Sequence, residues 1–508
     1  MTTETIEERK IHDFGLIFYF WFLLVIAAYG FGIFSIIKLA TNNQDLIGWV
    51  TDRFSDVTAS FGNYLWWAIG IAGVLFVIGV IFAYFQVWLM SYIGAELVNT
   101  VVFGIPIVLT GAGIASFFLF EQVWIGIVLI VPAIFLLVIA ILVGKRVVLG
   151  SKIFEMSNEA VNDEKETLLP VLFFAILSIV TFVTGIAAAI YTGSNINYIM
   201  NEVVHSSNKW VEYLVFFLLI YVYLAIHWTM LHFSDAINIC IFKRWNNYKD
   251  SSIKYAMKDV WKIKGSIVLF GMFMAFFDAI IKTIQFFAAR KFWKKWKQNK
   301  AWATTLKVLK WVFIIFILLL KWLFKILKFL NYYTLTIIVV EKQGFVKSMV
   351  RSADLSLDSA ADVIIGKTGV SIAKGLFTIM TFGVFSVGGF FLGYYWLFDW
   401  FAAKLSIDTS GSYYGLGYNV WFSLAIAALF FFFGYLPTTA ILRPISTAYK
   451  TILFFYIADP FRGHPGRRTR LTESEDINES LEKVKTQVME TYDKEERPTW
   501  NKPEEAKI

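Results

Sequence analysis

Long apolar runs separated by short polar stretches dominate the chain. Such runs occupy residues 14–38, 63–90, 92–120, 123–144, 168–191, 210–242, 265–290, 370–398 and 418–442. Each is about 20 residues or longer, the length a helix needs to cross a bilayer. None alternates apolar and polar positions as barrel strands do. Basic residues mark one side of the runs: Arg9 and Lys10 before the first, Lys145 and Arg146 after the fourth, Lys243 and Arg244 after the sixth. The loop at 39–62 carries Asp45, Asp52 and Asp56 instead. The positive-inside bias then puts both termini in the cytosol.

One further stretch, 300–348, completes the count. On a helix at about 100° per residue, Lys300, Lys307, Lys310, Lys321, Lys325 and Lys328 share one arc of roughly 80°. The rest of that surface is Leu, Ile, Phe, Val and Trp. Such a helix either crosses with one wet face or lies in the interface. Crossing gives ten spans, but leaves the basic cluster from Arg290 to Lys310 outside, against the charge rule. Making 265–290 re-entrant and the lysine-striped helix interfacial gives eight. The ten-span arrangement is the expectation: an all-α polytopic membrane protein with a cytosolic lead at 1–13, a transmembrane domain at 14–459 and a charged cytosolic tail at 460–508. Four mixed apolar and basic segments, 147–161, 250–264, 345–356 and 445–457, are expected to lie flat on the cytosolic face, their lysines and arginines reaching anionic headgroups. The alternative for these four is plain connecting helices.

Composition agrees with the pattern. Hydrophobic residues make up 58% of the 508, charged ones 17%, and mean hydropathy is +0.63. A soluble chain could not hide so much apolar surface. The net charge of +8 sits in span flanks, so it points to membrane lipids and not to nucleic acid. A single cysteine, Cys240, excludes a disulfide within the chain. With five histidines and no HExxH, paired-cysteine or Walker signature, neither catalysis, a metal site nor a cofactor is expected. No cleavable signal peptide is evident ahead of the first run.

Polar and aromatic residues inside the runs are the candidates for chemistry. On the sixth, Tyr223, His227, Ser234 and Asn238 share an arc of about 60°, and Tyr221, Trp228, His232 and Asp235 lie roughly opposite. An intramembrane His or Asp must face protein or water. These residues form either a cation or proton site, or satisfied polar contacts between helices. Tyr84, Trp88 and Tyr92 recur every fourth residue, with Glu96 next in the series. That is an aromatic cage closed by a carboxylate, or an aromatic belt at the membrane surface. Asp278 and Lys282 stand one helical turn apart, a structural ion pair or a proton relay. Glu341 reads as interfacial.

The polar punctuation between runs resembles the choline transporter-like family, solute carrier family 44 and its fungal relatives. VGKRVVLGSKIFEMSNEAV followed by LLPVLFFAIL is similar to that family's basic pair, amphipathic helix and Leu/Pro restart. HWTMLHFSDAINICIFKRW with KIKGSIVLFG, KWLFKILKFLN with GFVKSMVRSA, and TAYKTILFFYIADP follow in the family's order, as does the opening ERKIHDFGLIFYFWFLL. Departures are Lys450 where the family has Asp, the run Tyr332-Tyr333-Thr334-Leu335 after Asn331, and a short first external loop without cysteine. The resemblance implies a secondary transporter of choline or a similar organic cation such as ethanolamine, with proton exchange as one coupling, in the plasma membrane. The substrate-binding candidates are then Tyr84, Trp88, Tyr92, Glu96, Tyr223, His227, Trp228 and Asp235, with Asp278 and Lys282 as proton or ion-pair candidates. A structural or lipid-binding membrane protein is the alternative.

Overall fold

The computed structural model describes residues 15–42, 44–119, 123–142, 144–203, 209–249, 251–296, 303–399, 412–413 and 416–458. The N-terminal lead and the charged tail expected at either end fall outside these residues. The described residues are helical almost throughout. In order come α1 (Gly15–Asn42), α2 (Gln44–Leu119), α3 (Val123–Leu142), α4 (Gly144–Asp163), α5 (Leu168–Ser194), the single turn α6 (Ile196–Tyr198) and α7 (Lys209–Asn246). Then follow α8 (Ile253–Trp261), α9 (Lys264–Trp296), α10 (Ala303–Leu330), α11 (Thr334–Glu341) and α12 (Phe345–Asp358). α13 (Ala360–Thr381) continues through a π turn into α14 (Val387–Leu392) and a second π turn, Gly393–Leu397. Strands β1 (Ser412–Tyr413) and β2 (Leu416–Gly417) pair antiparallel, Ser412 opposite Gly417, before the last helix, α15 (Tyr418–Ala458).

Seven helical segments among the described residues are long and apolar enough to cross a membrane: Gly15–Leu39, Gly73–Thr100, Lys165–Ser194, Val211–Asn246, Lys264–Gln285, Gly375–Leu397 and Asn419–Ile457. Two shorter apolar helices, Val102–Phe117 and Gly126–Val138, accompany them. The separation of 63–90 from 92–120 into two spans is not observed. α2 runs through both without a break, Pro106 included. Hydropathy alone does not distinguish a polar loop from a helix that carries on through it. The last part of α2 instead pairs with α3. A Cβ on Gly113 would stand 2.5 Å from Ile130 Cγ1, and one on Gly126 2.6 Å from Phe117 Cζ.

The eight-span alternative needed 265–290 to turn back within the membrane. α9 is one unbroken helix over that region. Nor does 445–457 lie flat. It is the end of α15, with Ile445, Ala448, Tyr449, Ile452, Leu453 and Phe454 all buried. α4 likewise packs Ile153, Phe154, Ala160 and Val161 into the core.

Two apolar clusters hold the bundle. The first joins α2, α4 and α15 with Phe242 and Trp245 of α7 and Val363 and Phe377 of α13. The second joins α1, α5, α7 and α9 with α8. α11 serves both: Ile337 belongs to the first, Leu335, Ile338 and Val339 to the second. Apart from Thr334, Thr336 and Glu341 its residues are apolar, and it is buried from Thr334 to Val339, as befits a helix enclosed by the bundle.

The break between α10 and α11 has a local cause. Asn331 turns its Nδ2 back onto the Leu327 carbonyl at 3.0 Å and accepts the Thr334 hydroxyl at 2.9 Å. Such side-chain bonds compete with the helical ladder. Ser352 of α12 then takes up what the break leaves over: its Oγ accepts the Tyr333 N–H at 2.9 Å and donates to the Leu330 carbonyl at 2.8 Å. Ser352→Ala orphans a buried N–H and should cost about 1–3 kcal/mol. Thermal unfolding in detergent, with Ser348→Ala of the same helix as reference, checks this.

Candidate functional site

The sequence candidates separate into four places. Trp88, Tyr92 and Glu96 lie on an exposed face of α2, with Trp88 edge-on to Tyr92 at 5.3 Å between centroids, while Tyr84 turns partly inward. The four share one helix, and only Tyr84 packs against the core. Tyr223 is a wedge between α1, α5 and α7. Its hydroxyl donates to the Ala28 carbonyl at 2.7 Å, and its ring lies against Gly185.

Asp235 is held by a residue not singled out from sequence. Arg443 of α15 grips it with Nε to Oδ1 and Nη2 to Oδ2, both 2.8 Å, and Nη2 also donates to the Leu231 carbonyl. Thr447 Oγ1 adds a bond to Oδ1 at 3.3 Å. The fork matches the carboxylate on both oxygens, which is the strong form of such a pair. α7 contributes to both apolar clusters, Phe242 and Trp245 to the first and Tyr223 to Ile241 to the second, and this ion pair ties it to α15 of the first. Glu341, read as interfacial, is buried and paired with Arg351 at 3.0 Å, with Gln343 on its other oxygen.

The fourth place brings three helices together. Asp278 of α9 accepts the indole N–H of Trp228 at 3.1 Å and the ammonium of Lys282 at 3.1 Å. Lys328, in the last turn of α10, sets its Nζ 4.9 Å from the Trp228 ring centroid and 4.3 Å from that of Phe324. Trp228 thus has its polar edge on a carboxylate and its ring against a cation. His227 and His232 stand close, their centroids 6.5 and 5.6 Å from Trp228, with His232 also tilted over Phe270 at 4.5 Å. Phe324, Lys328 and Arg443 were missed as site residues. Lys328 stood in a recognised motif, but nothing in its own helix points to an indole on α7.

The depth of this group follows from helix rise. Trp228 lies about 22 Å along α7 from Lys243, and Asp278 about 21 Å along α9 from Lys264. Lys243 Nζ reaches the Val340 carbonyl near the end of α11 at 3.1 Å, so α11 fills the distance between that basic end and the break. In a bilayer about 40–45 Å thick with its headgroups, the break and the Trp228 group sit near the middle. Discontinuous helices at mid-depth are where many secondary transporters build their sites.

A multi-pass helical membrane protein with a half-depth cation-and-aromatic cluster beside a broken helix is the class that fold and site define. Within it, the sequence profile of plasma-membrane choline transporters matches residues 127–461. The chain belongs to that family, a family of transporters and not of enzymes. Trp228, Asp278, Phe324, Lys328, Asp235 and Arg443 all fall within the matched region, whereas Tyr84, Trp88, Tyr92 and Glu96 precede it. A comparison with curated proteins found no match.

Proposed function

We propose that the protein is a secondary transporter of choline in the plasma membrane, and that the Trp228–Phe324–Asp278 cluster is where the trimethylammonium group sits. The observation that carries this is the ammonium of Lys328 over both rings, because it marks the place as one where a positive charge is favourable. A quaternary ammonium has no N–H to donate, so ring faces and a nearby carboxylate are what replace its water. Asp278 already accepts from Trp228 and Lys282. Both bonds fall on Oδ2, so Oδ1 remains to face the positive charge of the substrate. His227, beside Trp228, is the group placed to carry a counter-moving proton.

With α10 and α11 together forming one further span, the seven candidate spans become eight, and the hairpin of the end of α2 and α3 enters the bilayer beside them. Alternating access would then move the two apolar clusters against each other with α7, which contributes to both, and its Asp235–Arg443 pair at the pivot. α8 suits a place at the headgroups: Ala256 and Val260 are buried and Tyr255 and Trp261 exposed. Lys264 next to it lies 4.4 Å from the Trp261 ring, ready to meet anionic lipid.

Uptake of radiolabelled choline into proteoliposomes tests the reading. Saturable uptake by the wild type is expected. Trp228→Ala should lower kcat/KM roughly 30-fold, the loss of about 2 kcal/mol of desolvated cation–π attraction. No saturable uptake, or a silent Trp228→Ala, would favour a structural or lipid-binding protein.

A further inference from the structure

Lys328 is more than a marker of the cation seat. Its Nζ occupies the ring faces of Trp228 and Phe324 at 4.9 and 4.3 Å, the same surfaces the transported ammonium needs. The two cannot be there together. Asp278 is a single negative charge facing Lys282 and, nearby, Lys328. A third cation among them would meet strong repulsion at low dielectric. Yet Lys328 is not sealed in: its residue is exposed at the edge of the cluster, on a flexible four-carbon stem. It also sits just ahead of the turn at Asn331 where the helix stops. A side chain so placed can leave the rings without unpacking the core.

We propose that Lys328 is a tethered ammonium that fills the cation seat between transport events and exchanges with the substrate. The arriving organic cation takes over the two ring faces while Lys328 swings out, so the charge in the seat stays constant. When Lys328 returns, it drives the substrate off. The seat is emptied by competition and need not bind weakly in order to release. This rests on the choline reading for the nature of the substrate. It adds that affinity and turnover are set against each other by one residue of the chain itself.

The test uses the full chain in detergent and in proteoliposomes, with labelled choline as the probe. Lys328→Met removes the competing charge and keeps the stem. Choline should bind about tenfold more tightly or better, and maximal uptake should fall, a KM-against-kcat split that a purely structural lysine would not produce. Lys328→Gln should behave alike and serves if the first variant fails to fold. In the wild type, saturating choline should raise acylation of Lys328 by an amine-directed reagent relative to Lys325 of the same helix, read by mass spectrometry. Unchanged or weaker binding in these variants, while Trp228→Ala abolishes binding, would overturn the exchange and leave the choline seat standing. If neither variant folds, acylation of wild-type Lys328 indifferent to choline overturns it. No choline binding by the wild type would remove the choline reading and the exchange with it.

Discussion

Arg443→Met is expected to be the most damaging single change in the bundle, lowering stability by about 3–5 kcal/mol. It strips the Asp235 carboxylate of its two 2.8 Å bonds and leaves a charge in a place where its side chain is only 15% exposed. The carbonyl of Leu231 loses its side-chain donor as well. Most of the loss is the unpaired charge and not the net worth of the pair, so removing both partners should restore much of it. Asp235→Leu with Arg443→Met should therefore be more stable than Arg443→Met alone, although the pair no longer ties α7 to α15. Monodispersity on size-exclusion after a heating series measures both. A double variant as unstable as the single one would mean that the packing of the arginine stem and not the charge decides the outcome. If the bridge also sets the alternation of the two halves, the double variant regains stability without regaining uptake.

Gly271→Leu should come second. Gly271 of α9 faces Thr229 of α7, and a Cβ built on it would lie 2.7 Å from the Thr229 Cα and 2.9 Å from its nitrogen, with Thr229 Oγ1 closer still. These are backbone atoms, so no rotamer change makes room and the helices must part. Overpacking of this kind costs about 1–3 kcal/mol even where side chains can yield, and this site is at or beyond the upper end. Because Trp228 is the neighbour of Thr229 and Asp278 lies two turns beyond Gly271, separating α7 from α9 also pulls the indole from its carboxylate. Choline binding is expected to fall with stability, even for Gly271→Ala. Unimpaired binding by a folded Gly271→Ala would show that the α7–α9 spacing does not set the seat. Small residues that let backbones approach are the usual means of helix association in lipid, where apolar attraction between helices is absent.

Much of the helical layout was legible because apolar runs report their own ends. The restart at Gly265-Ser266 places α9 within a residue of its observed start at Lys264, and the long sixth run foretells α7. Asn331 marks a helix break that hydropathy passes over, and from sequence the motif ending on it reads as part of one continuous span. What the sequence hid was continuity and partnership. Ser91 between the second and third runs, and Pro437 and Pro444 near the end of the tenth run, look like boundaries, but helix continues through each. A proline inside a helix frees a carbonyl four residues back, and in lipid neighbouring helices make good the loss. Gly79 of α2 comes close to Phe433, the residue whose carbonyl Pro437 frees. Charged partners were hidden for another reason. Asp278 and Lys282 share a helix and could be paired by counting, whereas Asp235 meets Arg443, 208 residues on. No periodicity carries that pairing.

The burial of α11 bears on how the chain is made. Eight residues long, the helix covers about 12 Å, too little to cross a hydrocarbon layer of about 30 Å. It shows lipid nothing, so it cannot be set in place as an independent membrane segment. Its seat exists only once α7, α9 and α15 stand around it, and the Ser352 clamp can close only after α12 has emerged. Biogenesis therefore has a late step, the docking of Thr334–Glu341 into a bundle already inserted. Lesions confined to that stretch should yield chains that reach the membrane, fail to mature and are cleared by quality control, a defect of assembly and not of insertion.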